Sequence, residues 1–192
     1  MPPKVRITKD EIIKTALEQV RTQGEQALNA RNIAASLGCS TQPIFSNFAT
    51  MEELHSATVA AAYELYLDFL KNEADDGRYP RYKAFGMAYI RFAKEQKQLF
   101  RLLFMRDRTE EDISFSPDFE ESVQMIMNAN GVSRENAILI HMEMWSCVHG
   151  IGTMLATSFL ELDFELISRM LSDVYQGVRS RHLAEENTND GN

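Results

Sequence analysis

Cysteine is scarce in this 192-residue chain. Cys39 and Cys147 are the only two, and they share neither a metal-ligand nor a redox spacing, so free thiols in a reducing compartment are expected. Histidine is equally thin, with four widely scattered residues that do not argue for a metal site. One Glu-x-x-His stands at Glu52 to His55, whereas a di-iron bundle needs two such motifs and further carboxylates. A phosphate loop, a G-x-S-x-G elbow and a zinc pattern are all missing. The residues therefore imply no enzyme, no cofactor and no metal. No run of eighteen apolar residues exists, so no membrane-spanning segment is expected. The first residues, MPPKVRITKDE, lack the apolar stretch of a secretory signal, and a cytoplasmic location follows as an expectation. Strand alternation, internal repeats and low-complexity segments are absent as well.

What remains is helical. A hydrophobic content of 44% with 25% charged residues suits a soluble globular protein with a real core. Thr8 with Glu11 forms a capping box, and Ile12, Ile13, Ala16, Leu17 and Val20 follow as one apolar stripe ending before Gly24. Thr50 with Glu53 repeats the signal and opens a long helix from Met51 to about Glu73, the expected lever between two domains. A loop at 75–80 precedes helices from Pro80 to Lys94 and from Gln98 to Met105, and a charged loop spans 106–112. Ser116-Pro117 starts another helix, which stops at Asn130-Gly131. Ser133 caps an apolar helix to about Leu160, and Asp163 caps the last. The expected fold is all-α. Residues 1–54 form a three-helix DNA-binding domain, 55–184 a helical ligand-binding and dimerisation bundle, and 185–192 a frayed tail.

Asn29 to Phe48 is the most specific stretch. Ile33, Ala34 and Leu37 give one apolar side, and Gly38 stands where a helix ends in a left-handed residue. Ser40 can cap a second helix, with Pro43 in its first turn. Ile44 and Phe48 point back at the first helix, leaving Thr41, Gln42, Phe45, Ser46 and Asn47 outward. Helix, glycine turn and helix with a polar outer face is the helix-turn-helix layout, whose second helix lies in a DNA major groove. Gln42 suits a bidentate contact to adenine, and Pro43 an apolar one to a thymine methyl. Phe45, Asn47 and Thr50 are assigned to the DNA backbone.

This stretch resembles the DNA-binding domain of the TetR family of bacterial transcriptional regulators, in the TetR/AcrR manner. The resemblance rests on Ile33-Ala34, Leu37-Gly38-Cys39-Ser40, Ile44-Phe45-Ser46-Asn47-Phe48 and Glu52-Glu53-Leu54. Phe45 departs from a tyrosine, Asn47 from a histidine or tyrosine, and Met51 from a lysine. The resemblance implies a regulator, most simply a repressor, binding double-stranded DNA at a palindromic operator as a homodimer and released by a small-molecule effector. It also implies a DNA contact from Arg31 and a two-fold four-helix bundle between subunits.

Charge is divided to match. Up to Leu54, Lys4, Arg6, Lys9, Lys14, Arg21 and Arg31 balance Asp10, Glu11, Glu18, Glu25, Glu52 and Glu53. The whole excess of eight negative charges thus lies beyond residue 54, which favours docking on a duplex through the N-terminal end. Lys4 and Arg6, on a short arm, can follow phosphates or enter a minor groove. Six cations against six anions is still a weak electrostatic footprint. An alternative follows from it: a ligand-binding or protein-interaction module on the same scaffold with weakened DNA binding.

The second half carries Trp145 and His149, four apart on one helix face. With Gly150 they resemble a Trp-His-Gly motif of one TetR subgroup. Gly150 and Gly152 imply either close helix approach or room for a bound molecule. Met87, Phe92, Phe104, Met105, Met125, Met144, Trp145, His149 and Met154 are the expected pocket for a largely apolar effector. Phe164, Ile167, Leu171, Val174 and Val178 are the expected dimer face.

Overall fold

The computed structural model describes residues 7–74, 77–109 and 117–189. Among them every regular element is helical, as the periodicity predicts. Lys4, Arg6 and the Ser116 cap lie outside the described residues. The chain packs as two compact units, 1–68 with 96–107 and 69–95 with 108–192. It therefore passes between them three times.

In the first unit, α1 (Lys9–Gln23) begins at the Thr8 capping box: the Glu11 amide donates to Thr8 Oγ1 and the Thr8 amide to the Glu11 carboxylate. A 3-10 turn (Glu25–Ala27) then leads into α2 (Ala30–Ser36), which Asn29 caps by accepting from the Asn32 amide. The Asn29 and Asn32 side chains both donate to the Ala27 carbonyl and so fix that turn. Gly38 ends α2 at φ 64°, with its own amide bonded to Ala35 and that of Cys39 to Ala34. This is the paired closure a left-handed residue permits.

Next comes α3 (Gln42–Asn47), with Pro43 in its first turn. Ser40 is not its cap. The helix starts one residue later, with Thr41 at the cap position and no side-chain bond there. Helix α4 (Met51–Ala74) starts with a modified box: Thr50 Oγ1 accepts from the Glu53 amide, but Glu53 accepts from Ala49 instead of Thr50. Ile12, Ala16, Ile33, Ala34, Ile44, Phe48 and Leu54 make the core that holds α1 to α4 together. Helix α6 (Lys97–Phe104) packs on α1 and buries Leu99, Phe100, Leu102 and Leu103.

The second unit holds α5 (Arg81–Glu95), α7 (Pro117–Asn130), α8 (Arg134–Ala156) and α9 (Phe164–Asn189), with the end of α4. Ser133 and Asp163 cap α8 and α9 as their spacing predicts, accepting from the Asn136 and Leu166 amides. Helix α8 stops four residues before Leu160. Ser158 turns left-handed at φ 58°, its amide bonding Leu155 while that of Phe159 bonds Met154. A serine does here what the glycine does after α2. Helix α9 continues to Asn189, into the segment expected as a tail.

A close approach in this unit is at Gly86, where a Cβ would lie 3.3 Å from Val148 Cγ2. Gly150 faces open space instead. Tyr82 meets His141 and Tyr89 meets His149, so α5 and α8 run parallel with Gly86 between the two contacts.

Candidate functional site

The outward edge of α3 is built by burying its other side. Ile44 and Phe48 fill the core, which turns Gln42, Phe45 and Ser46 into solvent. Thr41, Pro43 and Asn47 are half-buried, while Arg31 and Thr50 are exposed. Arg31 makes no ion pair among the described residues, and the Gln42 amide has no partner there. The remaining polar groups are partly engaged. Ser46 donates its hydroxyl to the Gln42 carbonyl at 2.9 Å, and Asn47 donates to the Pro43 carbonyl at 2.7 Å and to that of Ile7. Asn47 therefore braces α3 internally, which limits the backbone-contacting role expected of it.

Among the described residues, one cation near this edge is already committed. Lys9 Nζ lies 3.1 Å from Glu53 Oε1 and 4.7 Å above the Phe48 ring centre. The Ala49 amide, and then Lys9, hold the Glu53 carboxyl below the usual carboxylate range. His55 of the lone Glu-x-x-His meets Glu25 at 2.8 Å across the same unit. An open surface recess over Asn29 to Asn32 is not the ligand pocket the sequence suggests.

The residues expected to surround an effector divide between the units. Met87, Phe92 and Met144 are buried in the second unit, with Met125, Trp145, His149 and Met154 partly buried there. Phe104 and Met105 belong to the first. Phe104 packs at 5.1 Å from both Tyr66 and Phe100, and Met105 is exposed. Trp145 and His149 do share a face: their rings stack at 5.0 Å and 11°. His149 Nδ1 lies 2.8 Å from the Tyr89 hydroxyl.

Burial, and secondarily the charge of Arg108, lowers the His149 pKa below its ordinary value. Burial raises that of Tyr89, against the smaller opposing effect of Arg108. Both shifts favour the neutral forms of the two partners, which are joined by one hydrogen bond. A second hydrogen bond joins the Tyr82 hydroxyl and His141 Nδ1 at 3.0 Å. Neither tyrosine is among the site residues the sequence suggests. The signal was present, since Tyr82 and Tyr89 are seven apart and His141 and His149 eight apart, each about two helical turns.

A depressed histidine pKa stabilises the fold fully above the unfolded value of about 6.5, and that stability is lost as pH falls from there toward the folded value. His149→Gln is therefore expected to flatten the acid-side decline in denaturation midpoint. Tyr89→Phe is expected to cost about 1 kcal/mol at neutral pH, the net worth of one hydrogen bond, in urea titrations. An unchanged midpoint in Tyr89→Phe would show that the contact contributes nothing.

The expected dimer face needs correction. Ile167 and Leu171 are 0% and 3% exposed, so they belong to the unit's own core. Phe164 lies beneath Arg91 and Lys94, 4.7 and 4.9 Å from its ring centre. Val178 is half-buried, and of the five only Val174 is exposed. The outer apolar groups are Leu139 on α8, Leu166 and Val174 on α9, and Phe159 and Leu160 in the turn between them. Gly150 and Gly177 offer open space on these helices.

An all-helical chain whose N-terminal unit exposes a helix-turn-helix edge defines the fold of TetR-like regulators, and solved structures agree. A TetR-like transcriptional regulator from Rhodococcus sp. RHA1 superposes with a TM-score of 0.64 at 15% identity, covering 96% of this chain and 98% of that one. Apo ActR from Streptomyces coelicolor gives 0.51 at 14% identity, covering 91% and 96%. Residues 82–174 match the family described as Tetracyclin repressor-like, C-terminal domain. The two solved structures show a shared fold, and the family likeness spans 93 of the 192 residues. Among curated proteins no significant match is found.

Proposed function

We propose that the chain is a sequence-specific DNA-binding transcriptional regulator, acting as a homodimer and most simply as a repressor. One observation carries this reading: the edge from Thr41 to Asn47 turns the unpartnered Gln42 amide and the Phe45 ring outward from a core built to hold it. Arg31 supplies a nearby phosphate contact, and Lys4 and Arg6 extend it along the duplex. The outer apolar groups of α8 and α9 are the dimer surface, which pairs two recognition helices across a palindrome.

An apolar effector held in the interior of the second unit, near Trp145 and His149 of the Trp-His-Gly segment, favours a dimer whose helices no longer match half-sites about 34–36 Å apart. To release DNA it must bind that conformation better than the DNA-bound one. Helix α4, continuous across the division between the units, is the coupling element. The location is cytoplasmic. Selection of duplexes from a randomised pool by the purified full-length chain is expected to enrich an inverted repeat. A pool that emerges unenriched removes the reading.

The module with weakened DNA affinity is favoured by one feature, the Lys9–Glu53 pair beside a methionine at position 51. That pair gives its own test. Glu53→Gln keeps an acceptor for the Ala49 amide and frees Lys9. The plot of log affinity against log salt is then expected to steepen by about 0.9 per added phosphate contact. Identical slopes for variant and parent would mean that Lys9 reaches no phosphate.

A further inference from the structure

Phe45 has chemistry that neither a phosphate nor the inner core can use. The residue is 51% exposed, although Ile44, the other large apolar residue of α3, is buried. It stands three residues after Gln42 and directly before Ser46, on the same exposed face. The Ser46 hydroxyl is already donated to the Gln42 carbonyl, and the Asn47 amide to the Pro43 carbonyl. Among the exposed side chains of α3, Ser46 therefore keeps only acceptor lone pairs, while the Gln42 amide and the Phe45 ring have no partner among the described residues.

A phenyl ring has no donor for a phosphate, and its negative face is turned against an anion. The major groove presents only one apolar group, the C5-methyl of thymine. We propose that Phe45 is a specificity-determining residue that reads a thymine methyl, rather than the DNA backbone to which its sequence position assigned it. The spacing also locates that thymine. Three helical residues rise about 4.5 Å and one base step about 3.4 Å. The methyl then belongs one or two base pairs from the base that Gln42 contacts. The proposal rests on the regulator reading and names what this part of its recognition helix selects.

The experiment uses the full-length chain and the duplex enriched from the randomised pool, with each thymine of one half-site replaced in turn by deoxyuridine. That substitution deletes the methyl and leaves every hydrogen-bonding group in place. The parent is expected to lose about four-fold in affinity at one thymine, the equivalent of about 0.8 kcal/mol for one buried methyl-sized group. Phe45→Ala should bind more weakly and show no further loss with uracil at that position. Phe45→Leu, still apolar, should retain the uracil effect, which separates methyl contact from a fault in folding. Enrichment of a duplex with no uracil-sensitive thymine, or an equal uracil effect in Phe45→Ala, overturns this inference while leaving the regulator reading intact. Failure to enrich any duplex overturns both.

Discussion

Phe48→Ala is expected to lower stability by about 3–5 kcal/mol, the usual cost of emptying a buried aromatic site. Phe48 is buried with Ile12, Ile33, Ile44 and Leu54, and it joins α3 to α1, α2 and α4. Its loss leaves a cavity where four helices meet, and the Lys9 ammonium loses the ring beneath it. Against a total stability of about 5–15 kcal/mol this is a large fraction. Urea titration followed by far-ultraviolet circular dichroism should show an early transition, while Trp145, the only tryptophan, reports on the second unit. DNA binding should fail with the first unit. A midpoint close to the parent's would mean that the core tolerates the void and that α3 is held by something else.

Gln42→Ala is expected to act in the opposite manner, leaving stability and dimerisation alone while removing discrimination. The side chain is exposed and supports no other residue, so its deletion creates no cavity. A bidentate amide contact to adenine is worth about 1–3 kcal/mol, or roughly five- to 150-fold for each half-site. Binding to unrelated duplex, which depends on phosphate neutralisation, should hardly change. The diagnostic comparison is therefore the ratio of specific to non-specific affinity at one salt concentration. An unaltered ratio would place the sequence-reading edge elsewhere.

Helix starts were legible in the chain because they depend on short-range chemistry. Thr8 with Glu11, Ser133 and Asp163 all cap the helices they precede, and Gly38 takes the backbone angle its position demands. The failures fall where two residues compete for one role. Glu53 bonds Ala49 instead of completing a box with Thr50, and Ser158 ends a helix without the glycine that usually marks the place.

Periodicity misled in one instructive case. The spacing of Phe164, Ile167, Leu171, Val174 and Val178 identifies a buried stripe but not what buries it. Ile167 and Leu171 face their own unit, and the free apolar groups are Leu166 and Val174. The Trp145–His149 stack was legible from its four-residue spacing, whereas its link to Tyr89 depends on which helix lies alongside. No local pattern encodes that.

Because the chain passes back into its first unit at 96–107, that unit cannot be isolated by trimming the C-terminus. A fragment ending at residue 54 or 68 would lack Lys97–Phe104 and strip α1 of its cover. The apolar surface laid bare would make such a fragment prone to stick to itself and to nucleic acid alike. Weak or indiscriminate DNA binding by a shortened protein would then report the missing helix, not the recognition edge. A faithful minimal version would splice 97–104 back through a designed linker.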